Sequence, residues 1–213
     1  MTMYYPLLIV VAVMIFMYAK TPRRLGYDPR LPTSMHHPCS FTEVAATETA
    51  IAQRTDTDVR AHYLTDRSVL PMFIHTLEKN DVTLSEEEID QLHSTISHPR
   101  VADFIMGMKN RYNRARPWQI KKLDGLPSVT AHTPSFPAGH AYQAWMLYII
   151  LSKTYPTLDP ELYVTAQYCD DIRVMAGLHY PSDGEYSKQL AFSTLGTPKR
   201  NENALQEKKA SFT

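Results

Sequence analysis

The stretch from Arg173 to Asp183 places a guanidinium, an imidazole (His179) and a carboxylate within one short segment, at intervals suited to nucleophilic attack on a bound oxyanion. Two earlier segments carry matching groups. Lys109 is followed after six residues by Arg116-Pro117, and Pro134 to His140 reads Pro-Ser-Phe-Pro-Ala-Gly-His. A site that moves a phosphoryl group must neutralise the non-bridging oxygens, supply an in-line nucleophile and protonate the leaving oxygen. Lys109, Arg116 and Arg173 are the candidates for the neutralising shell, two as planar forks that suit paired oxygens and one as a compact ammonium. The other cations of that stretch, Arg111, Arg114, Lys121 and Lys122, read as solvated surface.

Pro137-Ala138-Gly139-His140 opens a helical pattern, so its first N–H groups and the positive end of the helix dipole form a ready place for an anion. Gly139 admits close approach of the backbone, and His140, titrating in the ordinary case near pH 6.5, is placed to donate a proton to a leaving group. Pro181 suits a first helical position. Asp183 then lies in the first turn with His179 just upstream, where a carboxylate can take the Nδ1 proton and leave Nε2 free to attack.

In order and spacing the three segments resemble the signature motifs of the type 2 phosphatidic acid phosphatase and vanadium haloperoxidase superfamily, over roughly residues 100–190. The resemblance implies an all-α helical bundle in which Lys109, Arg116 and Arg173 hold the phosphate with the backbone at Gly139 and Ala138. It implies His179 as the residue phosphorylated, Asp183 as its orienter, and His140 as general acid and then as helper of water. It implies phosphate monoesters as substrates, small organic phosphates or lipid phosphates, with no metal or other cofactor and with vanadate as a phosphate mimic. Two positions depart from the pattern. Ala138 and Ile172 stand where the motifs usually have serine. A hydroxyl bonded to a charged oxygen is worth about 1.5–3 kcal/mol, so weakened catalysis is the expected consequence. A catalytically silent, membrane-tethered structural protein and a vanadate-dependent haloperoxidase are the alternatives.

The elements that position these residues are helical throughout. Apolar periodicity and breakers predict helices over about 42–54, 56–79 with a break near Pro71, 85–96, 100–112, 138–154, 160–177 and 181–195. Ser85 with Glu88 forms a capping-box pattern, and Asp159-Pro160-Glu161 reads as cap, first-turn proline and early acid. Met72-Phe73-Ile74 and Phe104-Ile105-Met106 read as core faces. No alternating run suits a sheet.

From Met3 to Ala19 no residue is charged, Tyr4, Tyr5 and Tyr18 bracket an apolar run, and Lys20, Arg23 and Arg24 follow. This is the short end of what spans a hydrocarbon core of about 30 Å, and it is expected to be a retained single-pass anchor, with an uncleaved or cleaved signal peptide as the rival. If the positive-inside bias holds, the globular part lies on the cytoplasmic side, but one short segment leaves the side of the membrane open. The expected organisation is an anchor over 1–20, a Pro-rich linker over 21–40, a helical phosphatase-like domain over 41–196 and a polar tail over 197–213. Twenty-two basic and 22 acidic residues cancel, which removes the global field that draws proteins to nucleic acid. Cys39 and Cys169 stand in no metal spacing and read as free thiols; His36-His37-Pro38-Cys39 lacks a second ligand pair for a metal.

Overall fold

The computed structural model describes residues 38–198. The expected anchor over 3–19, most of the linker and the tail from residue 199 lie outside the described residues. Among those described, no helix is long and apolar enough to cross a membrane.

The described chain is all-α: α1 (Ser40–Gln53), α2 (Asp56–Thr65), α3 (Leu70–Glu78), α4 (Glu86–Ile96), α5 (Pro99–Tyr112), the short α6 (Pro117–Ile120), α7 (Gly139–Thr154), α8 (Asp159–Met175) and α9 (Pro181–Leu195). The break expected near Pro71 is there, with Pro71 in the first turn of α3, where its missing N–H costs nothing. Ser85 and Glu88 close the capping box that starts α4. One start differs from expectation. A 3-10 turn (Pro156–Leu158) leads into α8, so Asp159 is the first helical residue rather than the cap, and its carboxylate accepts from Tyr148 Oη at 2.9 Å.

The bundle is built around α7, whose run from Ala144 to Ser152 is buried on every side, as an apolar stretch without a polar stripe requires. It packs mainly along α8 and α9, while α1, α2 and α3 lean on α8. Trp145, Tyr148, Tyr163 and Phe192 interlock at this junction, four ring pairs edge-on with centroids 5.0–5.6 Å apart and Tyr148–Phe192 tilted at 6.1 Å. Phe73, Leu77, Ile96 and Ile105 extend the same core, whereas Met72, Ile74 and Phe104 are only partly buried against it.

Three local devices turn this frame into a site. Asn113, left-handed at φ 45°, ends α5 and sends the chain back across the bundle end with Arg114 and Arg116. Gly177, at φ 73°, reverses the chain between Arg173 and His179; a Cβ there would meet Ile51 Cδ1 at 3.1 Å and Gly125 Cα at 3.2 Å, so glycine is required twice over. The long 121–138 connection is pinned by Asp66, which accepts from Ser128 Oγ and from Val129 N at 2.8 Å.

Candidate active site

A cleft of about 300 Å³ opens at the end of the bundle where α5, α7, α8 and the two loops meet. Lys109, Arg116, Arg173, Gly139, His140 and His179 all line it, joined by Thr130 and Thr133 and by an apolar wall from α5, Val101, Ala102, Ile105 and Met106. No aspartate or glutamate is among the lining residues, so three cations share a concave surface without a lining counter-charge, the electrostatic form of an anion site.

His179 is buried beside Asp183, with Nδ1 3.2 Å from Oδ2. Its Nε2 accepts from Arg116 Nη1 at 3.1 Å. Those two contacts are both satisfied only by the neutral imidazole with its proton on Nδ1, which leaves the Nε2 lone pair on the cleft side. Burial drives the His179 pKa well below the ordinary value, and Arg116 adds to the effect against the pull of Asp183. Asp183 is fully buried and remains an anion: burial works to raise its pKa, yet the His179 contact, Arg114 and Ser135 outweigh it and bring it to about 2.

Two of the three cations are held by backbone carbonyls. Lys109 Nζ donates to Pro134 O at 2.6 Å, and Arg116 donates to Thr133 O at 2.7 Å and Leu178 O at 2.8 Å. Burial, followed by the charge of Arg116, pushes Lys109 down to about 7; burial pushes Arg116 to about 10. Arg173, only 1% exposed, donates to Asp66 Oδ1 at 3.1 Å and to Ser128, Thr130 and His62 Nδ1 at 3.3–3.4 Å. Its Nε is buried with no acceptor among the described residues.

His140 occupies the first turn of α7 and its Nε2–H donates to the Asp66 carbonyl at 3.0 Å. Burial and then Arg173 lower its pKa to about 3, so the ring is neutral before an anion arrives. A phosphate dianion between Lys109, Arg116 and Arg173 would act against that lowering, in the direction of the imidazolium.

Of the eight residues singled out from sequence, six line the cleft and Asp183 supports it from behind. Ala138 does not line it. It is wholly buried and its N–H donates to Asp183 O at 3.3 Å, so the donor expected for phosphate is spent inside the protein. Ile172 is likewise buried in α8 and absent from the lining. Neither departure from the motifs therefore exposes a changed surface to a ligand.

Four participants escaped the sequence reading. Arg114, expected on the surface, is 3% exposed and bonded to Asp183 Oδ1 at 2.6 Å. Ser135 Oγ donates to Asp183 Oδ2, Glu43 holds Arg114 at 2.6 Å, and Asp66 holds Arg173. Ser135 sat inside a motif already noted; for Asp66 and Glu43 no local signal exists.

A family model described as the PAP2 superfamily matches residues 97–197. The fold is similar to a solved structure, the first transmembrane PAP2 type phosphatidylglycerolphosphate phosphatase from Bacillus subtilis, with TM-score 0.50 and 17% identity over 99% of this chain and 98% of that one. No curated protein matches.

Proposed function

From the match of residues 97–197 to the PAP2 superfamily model, we propose that the chain is a member of that superfamily and hydrolyses phosphate monoesters through a phosphohistidine at His179. The observation that carries the reading is the pairing of an Asp183-oriented, neutral His179 with three cations around one cleft free of lining acids.

In the first half-reaction the Nε2 lone pair attacks phosphorus, the P–O bond to the leaving group breaks, and that oxygen takes a proton from His140. Asp183 compensates the charge gained by the His179 ring. Arg116 leaves Nε2 for a phosphoryl oxygen, and Lys109, Arg173 and the N–H groups at the start of α7 stabilise the charge on the others. In the second half water attacks phosphorus, the P–N bond breaks, and His140 receives the proton of the water. Because His140 is neutral in the free protein, its proton arrives with the substrate monoanion or is taken up as the dianion binds.

The apolar wall of Val101, Ala102, Ile105 and Met106 beside the cations favours an ester whose organic part is itself partly apolar, a lipid phosphate or a small organic phosphate. An expected anchor over 3–19 would hold the cleft near a lipid surface. Purified protein assayed on a panel of phosphomonoesters, with and without detergent, tests the proposal. Turnover that disappears in His179→Ala and is blocked by vanadate is the expected result; equal rates in both proteins, or indifference to millimolar vanadate, would remove it.

A further inference from the structure

Arg114 is the most heavily engaged cation near the site, and none of its bonds reaches the cleft. Its Nε donates to Ser40 Oγ at 3.2 Å, Nη1 to Ser182 Oγ at 2.8 Å and Asp183 Oδ1 at 2.6 Å, and Nη2 to Pro38 O at 3.2 Å and Glu43 Oε2 at 2.6 Å. All five N–H groups of the guanidinium are thereby used, and its carbon lies 3.9 Å from the Tyr180 ring centroid. The Arg114–Asp183 pair is closed off from solvent on both sides. A buried ion pair of this kind is a weak source of stability, because desolvation consumes most of the attraction. Its consequence lies in the charge on Asp183. Oδ1 goes to Arg114, while Oδ2 serves His179, Ser135 and Tyr180 N.

Resting on the phosphohistidine reading, we propose that Arg114 is a positioning residue that fixes the Asp183 carboxylate and weakens its hold on the His179 proton, so that Nε2 stays unprotonated. Residues 38–43, which precede the matched family segment, complete that clamp. The other charges around the pair are Arg116 and Lys109, which act in the same direction as Arg114, and Glu43 and Asp170, of which Asp170 has its pKa raised by burial well above the ordinary carboxylate value. Arg173, Asp66 and His140 stand across the cleft and are common to all variants below.

Arg114→Gln leaves Asp183 a stronger acceptor and Glu43 uncompensated, and the acid limb of kcat/KM should move up by about one pH unit. Arg114→Lys keeps the charge without the fork; its limb should stay near the native position while kcat falls about tenfold. Glu43→Gln should move the limb the other way and decides the matter if Arg114→Gln does not fold. Titration of the His179 ring by 15N NMR in the same proteins reads the effect without turnover, so a protein that hydrolyses no ester still tests the clamp. A folded Arg114→Gln, or failing that Glu43→Gln, whose acid limb and ring titration match the native protein would overturn the proposal, since loss of folding alone lowers the amount of enzyme and leaves both profiles in place.

Discussion

The two imidazoles of the cleft stand in unlike surroundings. Behind His179, one carboxylate collects Arg114, Ser135, Tyr180 N and the ring itself, so the geometry is complete before any ligand enters. On the other wall His140 has a single backbone acceptor, and Arg173 is tied to Asp66 through one contact at 3.1 Å with its Nε unused. The difference separates preorganisation from completion. In the proposed mechanism the nucleophile side needs the substrate only to draw Arg116 off Nε2, whereas the acid side reaches its working charge only when an anion arrives.

Breaking the nucleophile side should cost most: His179→Ala is expected to lower kcat by on the order of 10⁵-fold or more. On the acid side, Arg173→Ala should cost about 10²–10³-fold in kcat/KM, as for loss of one transition-state donor. Asp66→Asn, which loosens Arg173 and the 128–130 turn without removing the cation, should cost about tenfold, expressed mainly in KM. An Asp66→Asn protein as poor as Arg173→Ala would show that the Asp66 contact, not the guanidinium, is what the substrate depends on.

Lys109 sharpens the comparison through pH. Its folded pKa is near 7, so the free protein loses that charge as pH rises through neutrality. The basic limb of kcat/KM should fall there, reinforced by loss of the substrate monoanion near the second phosphate pKa of about 6. Lys109→Arg should retain the cation and move the Lys109 part of the fall upward; a native profile still rising above about pH 9 would contradict the assignments.

A smaller effect concerns stability alone. Asp170 is buried against Gly184, where a Cβ would lie 1.9 Å from its Oδ1, and that oxygen has no partner among the described residues. Burial, then Asp171 and Asp183, raise its pKa well above 3.8. A folded pKa raised above the unfolded one gives stability that is present below about pH 4 and is lost as pH climbs toward the folded value. Asp170→Asn, which mimics the protonated acid, should therefore match the native Tm at acid pH and exceed it increasingly as pH rises, by about 2–4 °C for each kcal/mol recovered. Smallest of all, Ala138→Ser supplies the side-chain cap that α7 lacks and should raise stability by about 1 kcal/mol with little change in kcat.

Much of this was legible in the chain, and the exceptions have a common cause. Helix starts carry local chemistry, so Pro181 and the Ser85–Glu88 box read correctly, and the three motifs announced six groups that do meet in one cleft. Arg114 was misread as surface because it sits among other cations and its two acidic partners are 71 and 69 residues away. Asp66 lies 107 residues from the arginine it holds. Asp159 looked like a cap because the 3-10 turn before it has no signature distinct from a loop. Local rules find groups that act on their own neighbours; partners joined only by packing are invisible to them.

The central claim is that a phosphoryl group passes through His179 Nε2. Rapid mixing of protein with a phosphomonoester that it turns over, followed by alkaline quenching and peptide mass analysis, should find an acid-labile phosphoryl group on His179, absent from His179→Ala and longer-lived in His140→Ala. Undiminished turnover with no phosphate on that ring at any time would contradict it.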